Sequence, residues 1–371
     1  MYACTLFWVI DYFDVRRLCV ISRKEVAKLA GVSEATVSRV LNNVGPIKPE
    51  TKERVLKAAA EIGYVPSALA QQFARRKSGN IGVILPFVPK VRLFSTYYFS
   101  EILSGIGEAA QSYGYNLLLI YREPSVERDY SKLFRAQKID ACIMLGSQDV
   151  PEEREALAVL HKEGFPFCLV NQRFENESYC TVDADHVEGS RLATEHLIGR
   201  GYRRIAFLNG PLQFSNSIDR YKGYLLALEQ AKKKPDENLV FWGNYSRKSG
   251  YESAQFIAER IKSGQIDAVF TANDRMAIGL LNGLKEHGLI AGKDYGLAGY
   301  DDSDGARIVT PPLTTVAVPF YEMGRQAAQL LLQGIESNNE ADSKQLTLPI
   351  QLIPRETSSF IINRDERMLE Q

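Results

Sequence analysis

The chain reads as a small all-α helix-turn-helix head followed by an α/β core of two doubly wound lobes with parallel sheets. Three observations predict this: a run of helical spacing broken by Gly31, a third helical stretch opening at Pro49, and, from Ile81 onward, two successive blocks in which β-rich runs alternate with helix-length stretches. A length of 371 residues suits two or three compact units, and 45% apolar with 24% charged residues is ordinary for a globular chain.

The first residues stand apart from that pattern. Met1 to Tyr12 is apolar and aromatic, but it lacks the basic start and small-residue cleavage site of an export signal and is too short to span a bilayer. Residues 1–20 therefore read as an extension, with the expected translation start near Leu18 or Val20, just before the folded pattern begins.

In the head, expected over 21–66, Lys24 to Ala30 places Val26, Ala27, Leu29 and Ala30 on a helical stripe, and Gly31 supplies the left-handed stop. Ser33 is a good N-cap, and Glu34 to Leu41 resumes helical spacing with Val37, Val40 and Leu41 inward. Pro49 at N1, early Glu50 and Glu53, apolar Val55, Leu56, Ala59 and Ile62, and a stop at Gly63 signal the third helix. The outward positions of the second helix, Glu34, Ala35, Thr36, Ser38, Arg39 and Asn42, with Ser33 at its start, are short or polar, as a helix entering a major groove requires. Arg39 suits a guanine edge, Glu34 a cytosine amine, and Thr36, Ser38 and Asn42 suit phosphates. On spacing alone, a three-helix packing module without a nucleic-acid role stays open.

Charge distribution favours the nucleic-acid reading. The formal net charge is zero, yet Ile21 to Lys77 carries eleven Lys/Arg against five Glu, a net of +6, leaving −6 on residues 78–371. A basic segment on a mildly acidic body suits a polyanionic partner.

In the body, Ile81 to Pro86, Tyr115 to Tyr121, Asp140 to Leu145 and Phe167 to Val170 read as buried strands. The pattern restarts with Thr181 to Asp183, Arg204 to Asn209, Leu239 to Trp242, Ala268 to Thr271 and Tyr295 to Tyr300. Sheets of this kind bind ligands beyond the carboxyl ends of their strands, and two facing lobes make a cleft. The polar residues there are Asn273 and Asp274 after one strand, Asp301 and Asp302 after another, and Arg220 at the opening of a helix. Arg, Asn and Asp converging on one cleft suit sugar hydroxyls or a carboxylate. Helix capping is the alternative, above all for Asp274.

Enzymatic signals are missing. Gly105-Ile-Gly-Glu-Ala-Ala110 mimics a dinucleotide fingerprint but lies inside a helical stretch, where it reads as a packing feature. There is no Walker loop, nucleophile elbow or paired-carboxylate constellation, so neither catalysis nor a cofactor is expected. The four histidines and five cysteines show no metal-ligand spacing, and cysteines in apolar strands point to a reducing compartment, so metal is not expected.

Glu25-Val-Ala-Lys-Leu-Ala-Gly-Val-Ser-Glu-Ala-Thr-Val-Ser-Arg-Val-Leu-Asn42 resembles the head of the lactose-repressor/galactose-repressor family of bacterial transcription regulators. The likeness continues through Gly63-Tyr-Val-Pro66, Ala68 to Gln72, Asp185 to Gly189, Gly201 to Ile205, Ala272-Asn-Asp274, Gly299 to Asp302 and Pro311 to Val316. The resemblance implies a periplasmic-binding-protein-like core over 78–362, lobe one being about 78–180 plus 316–338 and lobe two about 181–313 plus 345–362, with a tail at 363–371. It also implies a hinge helix over 67–77 that orders on operator DNA, with Ala70 near the minor groove and Phe73 as the wedge where relatives usually carry Leu. Effector contact is implied at Arg220, Asn273 and Asp301, and at Phe320 and the aromatic Tyr98 or Phe99. His186 departs from the family's usual Asn, and Phe87 to Thr96 is bulky and basic where relatives have a short Asp/Asn-rich loop.

The expected protein is thus a cytoplasmic, homodimeric regulator of double-stranded operator DNA, a repressor controlled by a sugar-like effector in the cleft, with no membrane partner. Control by a partner protein stays open. A solute-binding protein would need an export signal and no basic head.

Overall fold

The computed structural model describes residues 22–65, 77–87, 93–123, 128–337 and 344–359. The extension at 1–20, the hinge positions Ala70 and Phe73, and the tail at 363–371 lie outside the described residues. The chain divides into two compact units, Met1–Ser78 and Gly79–Gln371.

In the first unit, α1 (Arg23–Ala30) opens on a capping box: the Ser22 backbone N–H and hydroxyl both donate to Glu25, at 2.6 and 3.1 Å. It closes at Gly31, whose φ of 64° is the left-handed conformation that glycine adopts without a Cβ penalty. Helix α2 (Glu34–Leu41) follows a tight turn, and α3 (Pro49–Glu61) starts on its proline. Val26, Ala27, Ala30, Val37, Val40, Val55, Ala58 and Ala59 make the core. Two expected core residues are outside it: Leu29 is 49% exposed and Leu56 46%. Each is turned roughly 100° around its helix from the centre of the buried stripe, and Ala58 takes the inward place on α3.

Among the described residues, the second unit holds three sheets. Strands β1 (Asn80–Pro86), β2 (Asn116–Arg122), β3 (Ala141–Leu145), β4 (Phe167–Val170) and β5 (Thr181–Ala184) join β11 (Gln345–Leu348) in an all-parallel sheet of order β11-β5-β4-β3-β1-β2. Strands β6 (Ile205–Asn209), β7 (Val240–Trp242), β8 (Ala268–Thr271) and β9 (Gly296–Ala298) form a second parallel sheet of order β7-β6-β8-β9. An antiparallel ribbon pairs β10 (Thr315–Ala317) with β12 (Gln351–Ile353). Helices α4 (Tyr97–Ser112), α5 (Ser131–Arg135), α6 (Pro151–Lys162) and α13 (Phe320–Ser337) accompany the first sheet. Helices α7 (His186–Gly199), α8 (Ser215–Gln230), α9 (Arg247–Glu252), α10 (Ala254–Lys262), α11 (Asp274–Glu286) and α12 (Asp304–Ile308) accompany the second.

This corrects the expected lobe boundaries. The strand at Thr181 does not restart the pattern in lobe two: it covers the open edge of β4, with Val170 opposite Val182. Gln345–Leu348 then adds beside it, with Leu346 opposite Val182, so this segment also belongs to lobe one. The chain crosses between the lobes after Ala184, near β10, and between Leu348 and Gln351.

Gly105 is a packing glycine, as its helical setting predicts. A Cβ there would stand 1.9 Å from the Tyr321 carbonyl oxygen, and one on Gly324 would stand 2.1 Å from that of Ile102. Helices α4 and α13 therefore touch backbone to backbone, which fixes where their N-termini deliver Tyr98, Phe99 and Phe320.

Candidate functional sites

On the head, Ser33 caps α2: its hydroxyl accepts from the Thr36 N–H at 3.1 Å and pairs with the Thr36 hydroxyl at 2.9 Å. Glu34, Ala35 and Arg39 are exposed, while Thr36, Ser38 and Asn42 are half-buried at the edge of the same face. Glu34 accepts from Arg23 Nε at 3.5 Å, a partly exposed pair that offsets its charge. Asn42 Nδ2 donates back to the Ser38 carbonyl at 2.9 Å, which closes the helix. The face thus offers one long cation, Arg39, among short side chains that let a backbone approach closely.

In the second unit, the carboxyl ends of the two sheets face each other. Asn171 and Arg173 follow β4, Asp183 is the last residue but one of β5, and Arg220 projects from α8. His186, 1% exposed, lies at the centre. Its Nε2 is 2.6 Å from Asn171 Oδ1 and 3.4 Å from Asp183 Oδ1, and its Nδ1 lies 3.2 Å from the Tyr300 hydroxyl and 3.4 Å from Arg220 Nη2. An Nε2–H tautomer fits: Nε2 donates to Asn171, and Nδ1 accepts from Arg220. Burial, and then the Arg220 charge, hold the His186 pKa below its ordinary value, so the ring is neutral. The Asn171 side chain also stands close enough to the Tyr98 hydroxyl to polarise it. A chain of polar contacts therefore runs from Tyr98 in lobe one to Arg220 in lobe two.

Arg220 is 3% exposed. It donates from Nη1 to the Ala272 carbonyl at 2.7 Å, lies 4.1 Å from the Tyr300 ring centroid, and keeps a buried Nε without a hydrogen-bond partner. Asp301 faces it from a strained turn, with φ of 119° at Asp301 and 54° at Asp302. Arg355 and Arg307 hold that turn by binding Asp302, at 2.5 and 2.8 Å. Burial pushes the Asp301 pKa well above the carboxylate range, against the pull of Arg220 and Arg275.

The expected effector residues do not all behave alike. Tyr98 is half-buried and within electrostatic reach of Asp301 and Arg220. Phe320, 2% exposed, supports Tyr98 edge-on at 5.1 Å, and Phe99 does so from the other side at 4.8 Å, so these two rings position the tyrosine. Asn273 caps α11: Oδ1 accepts from the Met276 N–H at 2.9 Å, and Nδ2 donates to the Tyr245 carbonyl at 3.1 Å. Asp274 is structural, accepting from the Ser303 N–H and hydroxyl and from the Thr315 hydroxyl.

Two residues of the cleft escaped sequence reasoning: Asn171 and Tyr245. Tyr245 has a φ of 63°, uncommon for a bulky residue. Its hydroxyl binds Ser217 and donates to Asn216 at 2.7 Å, and its ring lies 5.9 Å from the Arg220 guanidinium. The ring occupies space that a Cβ on Gly210 would take, 2.1 Å away. Asn171 could have been found by the rule that picked out Asn273, because it too follows a buried strand.

Across the cleft mouth the lobes are latched. Arg173 spans Asp183 of lobe one and Asp219 of lobe two. Gln172 accepts from the Ser215 N–H at 3.0 Å, and the Arg173 N–H donates to the Ser215 hydroxyl at 2.9 Å.

A basic helix-turn-helix unit with short side chains on its second helix, in one chain with a two-lobed cleft lined by Arg, Asp and Tyr, defines a ligand-responsive DNA-binding regulator. Comparison with known proteins agrees. The model of bacterial regulatory proteins of the lacI family matches residues 23–67, and that of the periplasmic binding protein-like domain matches residues 194–358. The HTH-type transcriptional regulator RegA of Clostridium saccharobutylicum is 32% identical over 91% of this chain and 99% of its own length. The transcriptional repressor PurR of Vibrio atlanticus is 33% identical over 85% and 92%. Among solved structures, the complex of the regulator CelR with cellobiose is 31% identical with a TM-score of 0.69. The lac repressor dimer bound to operator and the anti-inducer ONPF is 28% identical with a TM-score of 0.76. Each covers 91% of this chain and 99% of its own. The chain belongs to the LacI family of bacterial regulatory proteins, and it is a sequence-specific DNA-binding transcriptional regulator.

Proposed function

We propose that the protein is a homodimeric repressor whose two heads read a near-palindromic operator, and that a sugar-like ligand in the inter-lobe cleft sets its affinity for DNA. The observation that carries this reading is the buried Arg220, with a free Nε, beside Asp301 and in polar contact through His186 and Asn171 with Tyr98 of the opposite lobe. A ligand bridging these groups binds the closed arrangement of the lobes better than the open one. It thereby shifts the population competent to bind operator. Similar proteins solved with cellobiose, with ONPF on operator, and with ribose support a sugar in the cleft and a dimer on DNA.

Arg39, exposed on α2, reads a base edge, Glu34 and Ala35 face the groove beside it, and Ser33, Thr36, Ser38 and Asn42 set register against phosphates. The half-sites stand about one helical turn, ~34 Å, apart. The hinge at 67–77 contributes Ala70 and Phe73 at the minor groove between them.

Selection from a randomised duplex pool tests the first half. The intact chain enriches a palindrome whose binding weakens as salt rises, and Arg39→Ala relaxes preference at one position per half-site, at a cost of about 1–3 kcal/mol. Absence of any enriched motif would refute operator recognition. Titration of sugars into the operator complex tests the second half: Arg220→Ala abolishes the response, and an unchanged response removes the cleft from the mechanism.

A further inference from the structure

An ion pair in the head joins its first helix to its second. Arg23, the first residue of α1, donates from Nε to Oε2 of Glu34, the first residue of α2, at 3.5 Å. The side chains are 44% and 47% exposed. Among the described residues, no other hydrogen bond or ion pair engages either side chain, so Nη1 and Nη2 of Arg23 and Oε1 of Glu34 keep their bonding capacity.

A pair so exposed adds little to the stability of the head. Nor does α1 call for a cation at its start: the positive end of the helix dipole favours an anion in the first turn, and Glu25 supplies it. In a helix-turn-helix, the first helix crosses the sugar-phosphate backbone while the N-terminal residues of the second meet base edges. A side chain leading from the first residue of α1 to the first residue of α2 therefore lies between phosphate and base. A bare carboxylate entering a groove walled by phosphates is repelled, and Arg23 is the cation that stands beside Glu34 to offset this.

We infer that Arg23 is a specificity-positioning residue of the DNA-binding face. Through Nη1 or Nη2 it takes a backbone phosphate, through Nε it keeps Glu34, and so it holds Oε1 of Glu34 toward the N4 amine of a cytosine in the major groove. Cytosine suits a carboxylate better than adenine does, because the adenine amine is flanked by the N7 acceptor, which repels the second oxygen. The inference rests on the reading of α2 as the helix that enters the groove, and it adds a residue outside that helix.

The test is selection from a randomised duplex pool by the full chain and by Arg23→Gln, Arg23→Lys, Glu34→Ala and Arg39→Ala, followed by titration of the selected operator and of copies altered at single bases. Thermal melting, unchanged because the pair is exposed, confirms that the variants fold. Glu34→Ala is expected to relax a cytosine preference at one position per half-site. Arg23→Gln lowers that same preference roughly tenfold and leaves the other positions as they were. Arg23→Lys, a point charge without a fork, restores part of it. The double variant Arg23→Gln/Glu34→Ala loses nothing further at that position. Even weakening of all sequences by Arg23→Gln, with the cytosine preference kept and the salt slope reduced by about one, makes Arg23 a phosphate contact alone and overturns the inference. If Glu34→Ala shifts no preference while Arg39→Ala does, the inference falls and the reading of α2 stands. If neither shifts any preference, both fall.

Discussion

The His186 imidazole lies 2.6 Å from the Asn171 side-chain oxygen, and through that contact the first residue of α7 is tied to the loop after β4. Its pKa is held down by burial, so the folded protein refuses a proton that the unfolded chain accepts near pH 6.5. The stability this group contributes is complete above that value. It is lost as pH falls toward the folded pKa, with a limiting slope of about 1.4 kcal/mol per pH unit. Denaturant unfolding of wild type and His186→Asn at several pH values between 7.5 and 5 checks this: the difference between the two narrows or reverses as pH falls. A constant difference would remove His186 as the source.

Arg173 joins two carboxylates that are nearly inaccessible, Asp183 at 1% and Asp219 at 7% exposure. Arg173→Met removes the arginine from both and leaves Asp219 with Lys222 alone, 3.9 Å away. Because Arg173 itself is 35% exposed, the expected loss is about 2 kcal/mol, below that of a fully buried pair. Asp219→Asn is milder and breaks only the arm that reaches lobe two. It therefore opens the cleft more readily and weakens effector binding while leaving most of the stability. Equal effects of both substitutions on melting and on ligand affinity would contradict a latch.

Gly105→Ala drives a methyl group against the Tyr321 carbonyl, and two helix backbones cannot both hold their places. The expected cost is about 1–3 kcal/mol, seen as a lower melting temperature. Effector affinity falls with it, because α4 and α13 carry Tyr98 and Phe320. Gly107→Ala on the same helix is the control: its nearest neighbour would be Leu117 at an ordinary 3.8 Å, so it stays near wild type.

Much of this architecture was readable from residue order. Strands such as Phe167–Val170 and Ala268–Thr271 are buried on both faces and spell out as continuous apolar runs. The head was readable because Gly31, Ser33 and Pro49 each impose one backbone geometry. By contrast, Gln345–Leu348 alternates exposed and half-buried residues at a sheet edge, and β10 and β12 are three residues each, so local pattern is weak and long-range pairing decides. In the cleft, Arg220 and Asp301 could be picked out by their positions relative to strands and helices. Tyr245 could not, since its place depends on a left-handed backbone and on the space Gly210 leaves. Leu29 and Leu56 mark the limit of reading helical stripes: a leucine on the flank of a stripe matches the period nearly as well as one at its centre.

The chain passes between the lobes three times, and both β5 and β11 belong to the first sheet although each leads directly into the second lobe. Neither lobe is therefore a contiguous stretch of sequence. A cassette cut anywhere between Ala184 and Gln351 would carry off parts of both, so a chimera meant to pair this head with another ligand preference has to exchange the unit from Gly79 onward whole. Reprogramming within the unit is confined to single side chains on the facing loops.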